Sequence, residues 1–196
     1  MTLLFVNARQ VITCAGAARA RVGAEMRDCG VLADGAVAVE GARIAAVGAR
    51  AALEREYPDA TCIDCGGGVL TPGLVDSHTH AIFGRARYEE QERRAAGADY
   101  MEIAKQGGGI HASVRDVRAR SEDELLALTI PRLERLASYG TTTVEVKSGY
   151  GLSVEDELKL LRVIFRASVM VPMRLVPTWP GAHEIPKEAR ATASTR

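Results

Sequence analysis

The rhythm of hydrophobic and polar positions changes near residue 70. Before it, apolar residues fall in short runs broken by glycine and polar turn residues: "TLLFVNARQVIT", "GAVAVEGARIAAVG" and "ATCIDCGG". Such runs, bounded by glycines such as Gly41 and Gly48, predict short β-strands, and "VEG" ahead of "ARIAAV" suits a hairpin connection. "GARAALEREYPD" reads as a short helix ending near Pro58. In "GGGVLTPGLVDSHTH" the glycines close one element and a new strand begins, with Pro72 and Gly73 as punctuation.

After that point helical spacing dominates. "RARYEEQERRAAGADYMEIAKQ" consists mostly of good helix formers, with a break or bend near Gly97, and the glycines at 107 to 109 form a stop. Ser121 followed three residues later by Glu124 is a capping box, and it opens a leucine-rich helix, "EDELLALTIPRLERLASYG". Pro131 lies inside that helix and predicts a kink or a division in two. Next come a β-branched strand ("TTTVEVKSG"), a helix ("SVEDELKLLRVIFRA") and another strand ("MVPMRLVPTW"). Strand, helix, strand, helix, strand is the order of a parallel sheet with crossover helices, an α/β architecture.

No GxGxxG follows the first of these strands, which argues against a dinucleotide-binding sheet. Polar residues gather instead at strand ends: His78 and His80, then "KSGYG", then "GAH". A (β/α)8 TIM barrel builds its site at such ends. A full barrel takes roughly 250 residues, so the part from residue 71 to 196 accommodates three to four βα units and not a closed barrel.

Composition narrows the function classes. Lys and Arg total 25, as do Asp and Glu. With no basic tract, nucleic acid is a poor partner. No run of 18 apolar residues and no signal-like start is present, so a cytoplasmic protein with no membrane partner is expected. Cys14, Cys29, Cys62 and Cys65 are too few and too irregular for a disulfide scaffold. The "CIDC" pair could serve redox chemistry or half a zinc site, but strand alternation sends Cys62 and Cys65 to opposite faces, and they read as small residues of a sheet.

His78 and His80 carry more. Residues two apart in a strand share a face, so both imidazoles can reach one ion while Thr79 points away. A catalytic ion adds one or two further side chains and leaves a position for water. Satisfied or surface histidines are the plain alternative. Asp76, two residues earlier, orients a ligand or caps the sheet end.

These stretches resemble a known family. "PGLVDSHTHAIFGRARYEEQERRAAGADYMEIAKQGGGI", "YGTTTVEVKSGYGL" and "LVPTWPGAHEIPKE", together with "LADGAVAVEGARIAAVG", are similar to the amino-terminal half of the imidazolonepropionases, of the metal-dependent amidohydrolase superfamily. The resemblance implies a small β-sandwich segment over residues 1–70 and an incomplete amidohydrolase-type barrel over residues 71–196. It also implies one zinc or iron ion, a homodimer, and hydrolysis of 4-imidazolone-5-propanoate to N-formimidoyl-L-glutamate in histidine breakdown, a small-molecule substrate. Carried over by position, the first two metal ligands fall on His78 and His80, and substrate contacts fall on Arg87, Tyr150 and His183, with His183 also catalytic.

The residue types suit those roles. An arginine fork pairs bidentately with a carboxylate, a tyrosine between glycines can bring its hydroxyl close to a ligand, and a histidine can polarise a carbonyl or hold a ring nitrogen. Each also has a structural alternative: a solvated arginine, a packed tyrosine, a structural histidine. Lys147 reads as buried or ion-paired rather than carbamylated, and His111 as an ordinary helix or loop residue. The family draws a further histidine and an aspartate ligand, and a glutamate near the substrate, from later strands that residues 1–196 do not reach, and "ARATASTR" departs from its pattern. Weak or absent turnover by the isolated chain is therefore expected. The alternatives are another cyclic amide or amidine hydrolase, completed by dimerisation across open barrel edges, and a non-catalytic metal-binding or assembly module.

Overall fold

The computed structural model describes residues 1–181, 183–186 and 189. They form two compact units, Met1–Pro72 and Gly73–Arg196. The first contains β1 (Thr2–Val6), β2 (Gln10–Ile12), β3 (Val31–Ala33), β4 (Gly35–Glu40), β5 (Arg43–Ala49), α1 (Arg50–Glu56), β6 (Thr61–Asp64) and β7 (Val69–Leu70). They make a four-stranded sheet ordered β5-β4-β1-β6 and a three-stranded sheet ordered β3-β2-β7.

Strand alternation explains how this unit closes. Leu4, Val6, Ala36 and Ala38 fill one face of the larger sheet and pack with Leu53 of α1. Phe5, Val37 and Val39 occupy the other and meet Val11, Leu32 and Leu70 of the smaller sheet. The hairpin falls between Glu40 and Arg43, which pair, with Gly41 at φ 59° where a side chain would be strained. "TLLFVNARQVIT" is not one strand. At Asn7, φ 57°, the chain leaves the larger sheet for the smaller, and the Asn7 amide donates to Asp64 Oδ1 at 2.7 Å. The cysteines are free thiols.

The second unit runs β8 (Leu74–Thr79), α2 (Tyr88–Ala95), α3 (Tyr100–Lys105), α4 (Ile110–Ala119), α5 (Glu122–Ser138), β9 (Thr141–Lys147), α6 (Val154–Ser168) and β10 (Arg174–Thr178). Its strands are parallel and lie in chain order, β8-β9-β10. Each strand thus adds beside its predecessor, as in a barrel wall, without the order reversal of a doubly wound sheet. Val144 and Val146 of β9 are fully buried with Leu125 and Leu133 of α5 and Leu160, Val163 and Ile164 of α6.

The chain breaks between α2 and α3 at Gly97, φ 96°. α4 was not anticipated; its core-facing signal is little more than Val114 and Val117, flanked by glycines and charge. α5 begins with the expected capping box: Ser121 Oγ accepts from the Glu124 N–H at 3.2 Å and Glu124 Oε2 accepts from the Ser121 N–H at 2.9 Å. Pro131 does not divide α5, which is one helix of 17 residues. Its ring faces solvent, so only one internal hydrogen bond is forfeited while Leu125, Leu126, Thr129 and Leu133 keep the helix on the sheet.

Two substitutions two residues apart should therefore move stability in opposite directions. Leu133→Ala should cost about 2–5 kcal/mol by opening a cavity. Pro131→Ala should add about 2 kcal/mol, the helix gain near 3 offset by a looser unfolded chain. Urea unfolding midpoints check both, and a destabilising Pro131→Ala would show that the proline shapes the helix.

Candidate active site

The site lies where β8 and β9 end. β8 pairs with β9 at Asp76–Val144 and again at Thr79–Val146, so three steps on β8 match two on β9 and a bulge falls at Ser77 and His78. Thr79 fixes it by donating its hydroxyl to the Glu145 carbonyl at 2.6 Å. The bulge re-aims the strand end. The rings of His78, in the bulge, and His80, just past the strand, stand 5.8 Å apart, centre to centre. Asp76 accepts the His78 backbone N–H at 3.2 Å, a local cap.

His80 is half-buried, and its Nδ1 lies 3.0 Å from the Ser148 carbonyl. A carbonyl only accepts, so Nδ1 carries the proton and Nε2 keeps a lone pair free for an ion. Burial, reinforced by the neighbouring His183, lowers the His80 pKa from the ordinary histidine value despite the Ser148 carbonyl, which favours the neutral ring that ligation requires. Rings that share one ion at about 2.0–2.1 Å per bond have centres roughly 5–6 Å apart. The 5.8 Å between the His78 and His80 rings falls within that span. Among the described residues no group of three His, Cys, Asp or Glu side chains forms a metal site.

The other predicted residues converge here. Tyr150 stacks on His80 at 4.7 Å, and His183 lies 5.0 Å from His80 and 6.2 Å from Tyr150. Gly149, φ 91°, permits this approach, since a Cβ there would lie 2.9 Å from Pro180 and 3.1 Å from His183. Arg87, Glu90, Arg94, Tyr150 and His183 line a recess of about 210 Å³. An adjoining recess of about 270 Å³ is lined by His80, Arg87 and Tyr150 among others. Burial raises the Tyr150 pKa, against the pull of the Arg87 charge, so the phenol stays a donor. Arg87 pairs with Glu90 at 3.3 Å, and Glu90 also accepts the Gly109 N–H at 3.0 Å.

Lys147 is ion-paired, at 2.6 Å from Glu145, whose carboxylate also accepts the Thr178 hydroxyl at 2.6 Å. His111 sits in α4. Sequence reading missed the side chains that hold the loops. Arg132 lies 3.5 Å over the Phe83 ring and donates to the carbonyls of Ala81, Phe83 and Gly84. Asp116 accepts the Arg85 N–H at 2.6 Å and pairs with Arg120 at 3.0 Å. It sits so close to Gly84 that a Cβ there would fall 1.6 Å from Oδ2. Glu157, only 6% exposed, accepts three N–H groups of the turn that carries Tyr150. The one signal for Glu157 is the acid-rich first turn of α6 directly after "SGYGL".

The parallel strands in chain order make an open wall of (β/α)8 type, with the paired histidines at the first strand's end. Solved structures agree on the fold. Escherichia coli guanine deaminase matches 98% of this chain and 40% of its own at TM-score 0.58 and 14% identity. An atrazine chlorohydrolase from Arthrobacter aurescens, complexed with zinc, matches 90% and 35% at TM-score 0.52 and 18% identity. In sequence the chain is similar to the imidazolonepropionases over nearly all of its own length. It is 48% identical over 192 residues to that of Symbiobacterium thermophilum, covering 96% of this chain and 45% of the relative. It is 45% identical over 186 residues to that of Chloroflexus aggregans, covering 95% and 44%. Residues 35–60 match the bacterial imidazolonepropionase-like composite domain. The chain thus spans less than half the length of these curated relatives. No helix among the described residues is long and apolar enough to cross a membrane.

The loop carrying Arg87 should be acid-sensitive. Burial works to raise the Asp116 pKa, but the Arg120 guanidinium and the Arg85 N–H outweigh it and hold the carboxyl below its usual value. Its stabilising contribution is therefore complete above the unfolded value, about 3.9, and is lost as the pH falls through the lower folded value. Asp116→Asn should cost about 1 kcal/mol at pH 7, the solvent-screened share. It should also flatten the dependence of stability on pH in acid, read from urea midpoints between about pH 2 and 6.

Proposed function

We propose that this chain carries the amino-terminal part of an imidazolonepropionase site, for hydrolysis of 4-imidazolone-5-propanoate to N-formimidoyl-L-glutamate in cytoplasmic histidine breakdown. The observation that carries the reading is the meeting of His80, Arg87, Tyr150 and His183 around adjoining recesses, in a chain 42–52% identical to enzymes of that name. His78 and His80 would hold one zinc or iron ion, which when bound supplies a polarised water and Lewis-acid activation of the lactam carbonyl. In the net reaction one water adds across the lactam C–N bond, its oxygen to carbon and a proton to nitrogen. Arg87 anchors the propanoate carboxylate, exchanging it against Glu90. Tyr150, protonated, donates to the ring or the carboxylate. His183 polarises the ring carbonyl or holds a ring nitrogen. The working assembly in this reading is a homodimer.

Two imidazoles alone should bind metal weakly, so the decisive material is a chimera of residues 1–186 joined to the complementary remainder of the Symbiobacterium relative. It should consume imidazolonepropanoate. His78→Ala should lower kcat/KM by about 1,000-fold or more, and Arg87→Met should raise KM roughly 10- to 100-fold by removing a charge-assisted anchor. A folded, metal-loaded chimera that does not act on this compound, beside an active parent, would overturn the assignment.

A further inference from the structure

The structure assigns Glu157 a positioning role: its buried carboxylate seats the turn at residues 149–152 so that Tyr150 stays stacked on His80. This rests on the proposed reading of those two side chains as site residues. Glu157 Oε2 accepts the Gly149 N–H at 2.7 Å, and Oε1 accepts those of Gly151 at 2.8 Å and Leu152 at 2.9 Å. These are charge-assisted bonds in a buried setting, the strong kind.

The turn they hold would not keep this shape by itself. Gly149 and Leu152 have φ of 91° and 53°, and a left-handed leucine persists only where its surroundings impose it. Its N–H groups at 149, 151 and 152 go to one carboxylate rather than to a helix or sheet, so all three depend on that side chain. From the opposite polarity, Arg118 Nε donates to the Gly151 carbonyl at 2.7 Å. Gly151 lies so close to α6 that a Cβ would fall 2.5 Å from the Glu157 nitrogen. Tyr150 is thus suspended between glycines fixed at the head of α6, with its ring 4.7 Å from His80. A carboxylate that only complemented the α6 dipole would leave that stack unmoved when neutralised.

The test uses the full 196-residue chain, labelled for NMR. Glu157→Gln should speed exchange of the Gly149, Gly151 and Leu152 amides by about tenfold or more, with Val163 and Ile164 within about threefold of wild type. The His80 ring-proton shifts should move toward their values in Tyr150→Leu. Glu157→Asp, which keeps the charge but retracts it, should fall between; if Glu157→Gln does not fold, the Asp variant carries the test, with at least about threefold faster exchange required. Unchanged protection of the three amides overturns the proposal, and so do His80 shifts that stay at wild-type values while exchange rises. Binding of 3-(imidazol-4-yl)propanoate with zinc present is measured beside these. Its absence in the chimera of residues 1–186 with the Symbiobacterium remainder counts against the site reading, while exchange and ring shifts in the 196-residue chain still decide the role of Glu157.

Discussion

A parallel strand that ends at a site leaves its last backbone groups without sheet partners, and this unit satisfies them with buried and half-buried charge. Glu157 collects the N–H groups of the turn after β9, and Arg132 collects the carbonyls of residues 81, 83 and 84 after β8. Lys159 does the same for Val117, Arg118 and Arg120 at the end of α4. The sign follows the need: carboxylates meet donors and cations meet acceptors. Loops tied in this way can hold side chains at fixed spacing without secondary structure of their own.

The glycines work with these ties. Gly84 lies against Asp116, Gly149 against His183 and Pro180, and Gly151 against the start of α6, each too close for a Cβ. Backbone proximity and buried charge are therefore one device. The charge draws the loop in, and the missing side chain lets it arrive. Arg87 and Tyr150 follow loops held by that device, and His183 packs where Gly149 lacks a side chain.

This explains which features were legible in the sequence. Short-range rules found the capping box of α5, the break at Gly97 and the hairpin at Gly41, because each depends on residues a few positions apart. "SHTH", "KSGYG" and "GAH" were visible as chemistry at strand ends. The bulge at Ser77 and His78 was not, because it depends on register against β9, more than 60 residues away in sequence. Arg132 looked like one more charge on a helix, and nothing local marks it as the holder of residues 81–84. The same is true of Asp116, whose partner Arg85 lies 31 positions away. Glu157 was hidden differently, among the acids expected at any helix start. Asn7 and α4 escaped because a single left-handed residue and a weakly patterned helix leave little periodic trace.

The Arg87–Glu90 pair bears on how a carboxylate could be received here. A buried cation left empty would be costly, and one locked to its partner would be unavailable. Arg87 is neither. Its link to Glu90 is single, long at 3.3 Å and partly exposed, while Glu90 keeps a second attachment at the Gly109 N–H. An incoming carboxylate can take the guanidinium without leaving Glu90 unsatisfied, so one anion replaces another at small net electrostatic cost. A neutral ligand offers no such exchange. On the proposed reading, the preference for a propanoate-bearing ring would follow from this replaceable pairing as much as from the shape of the recess.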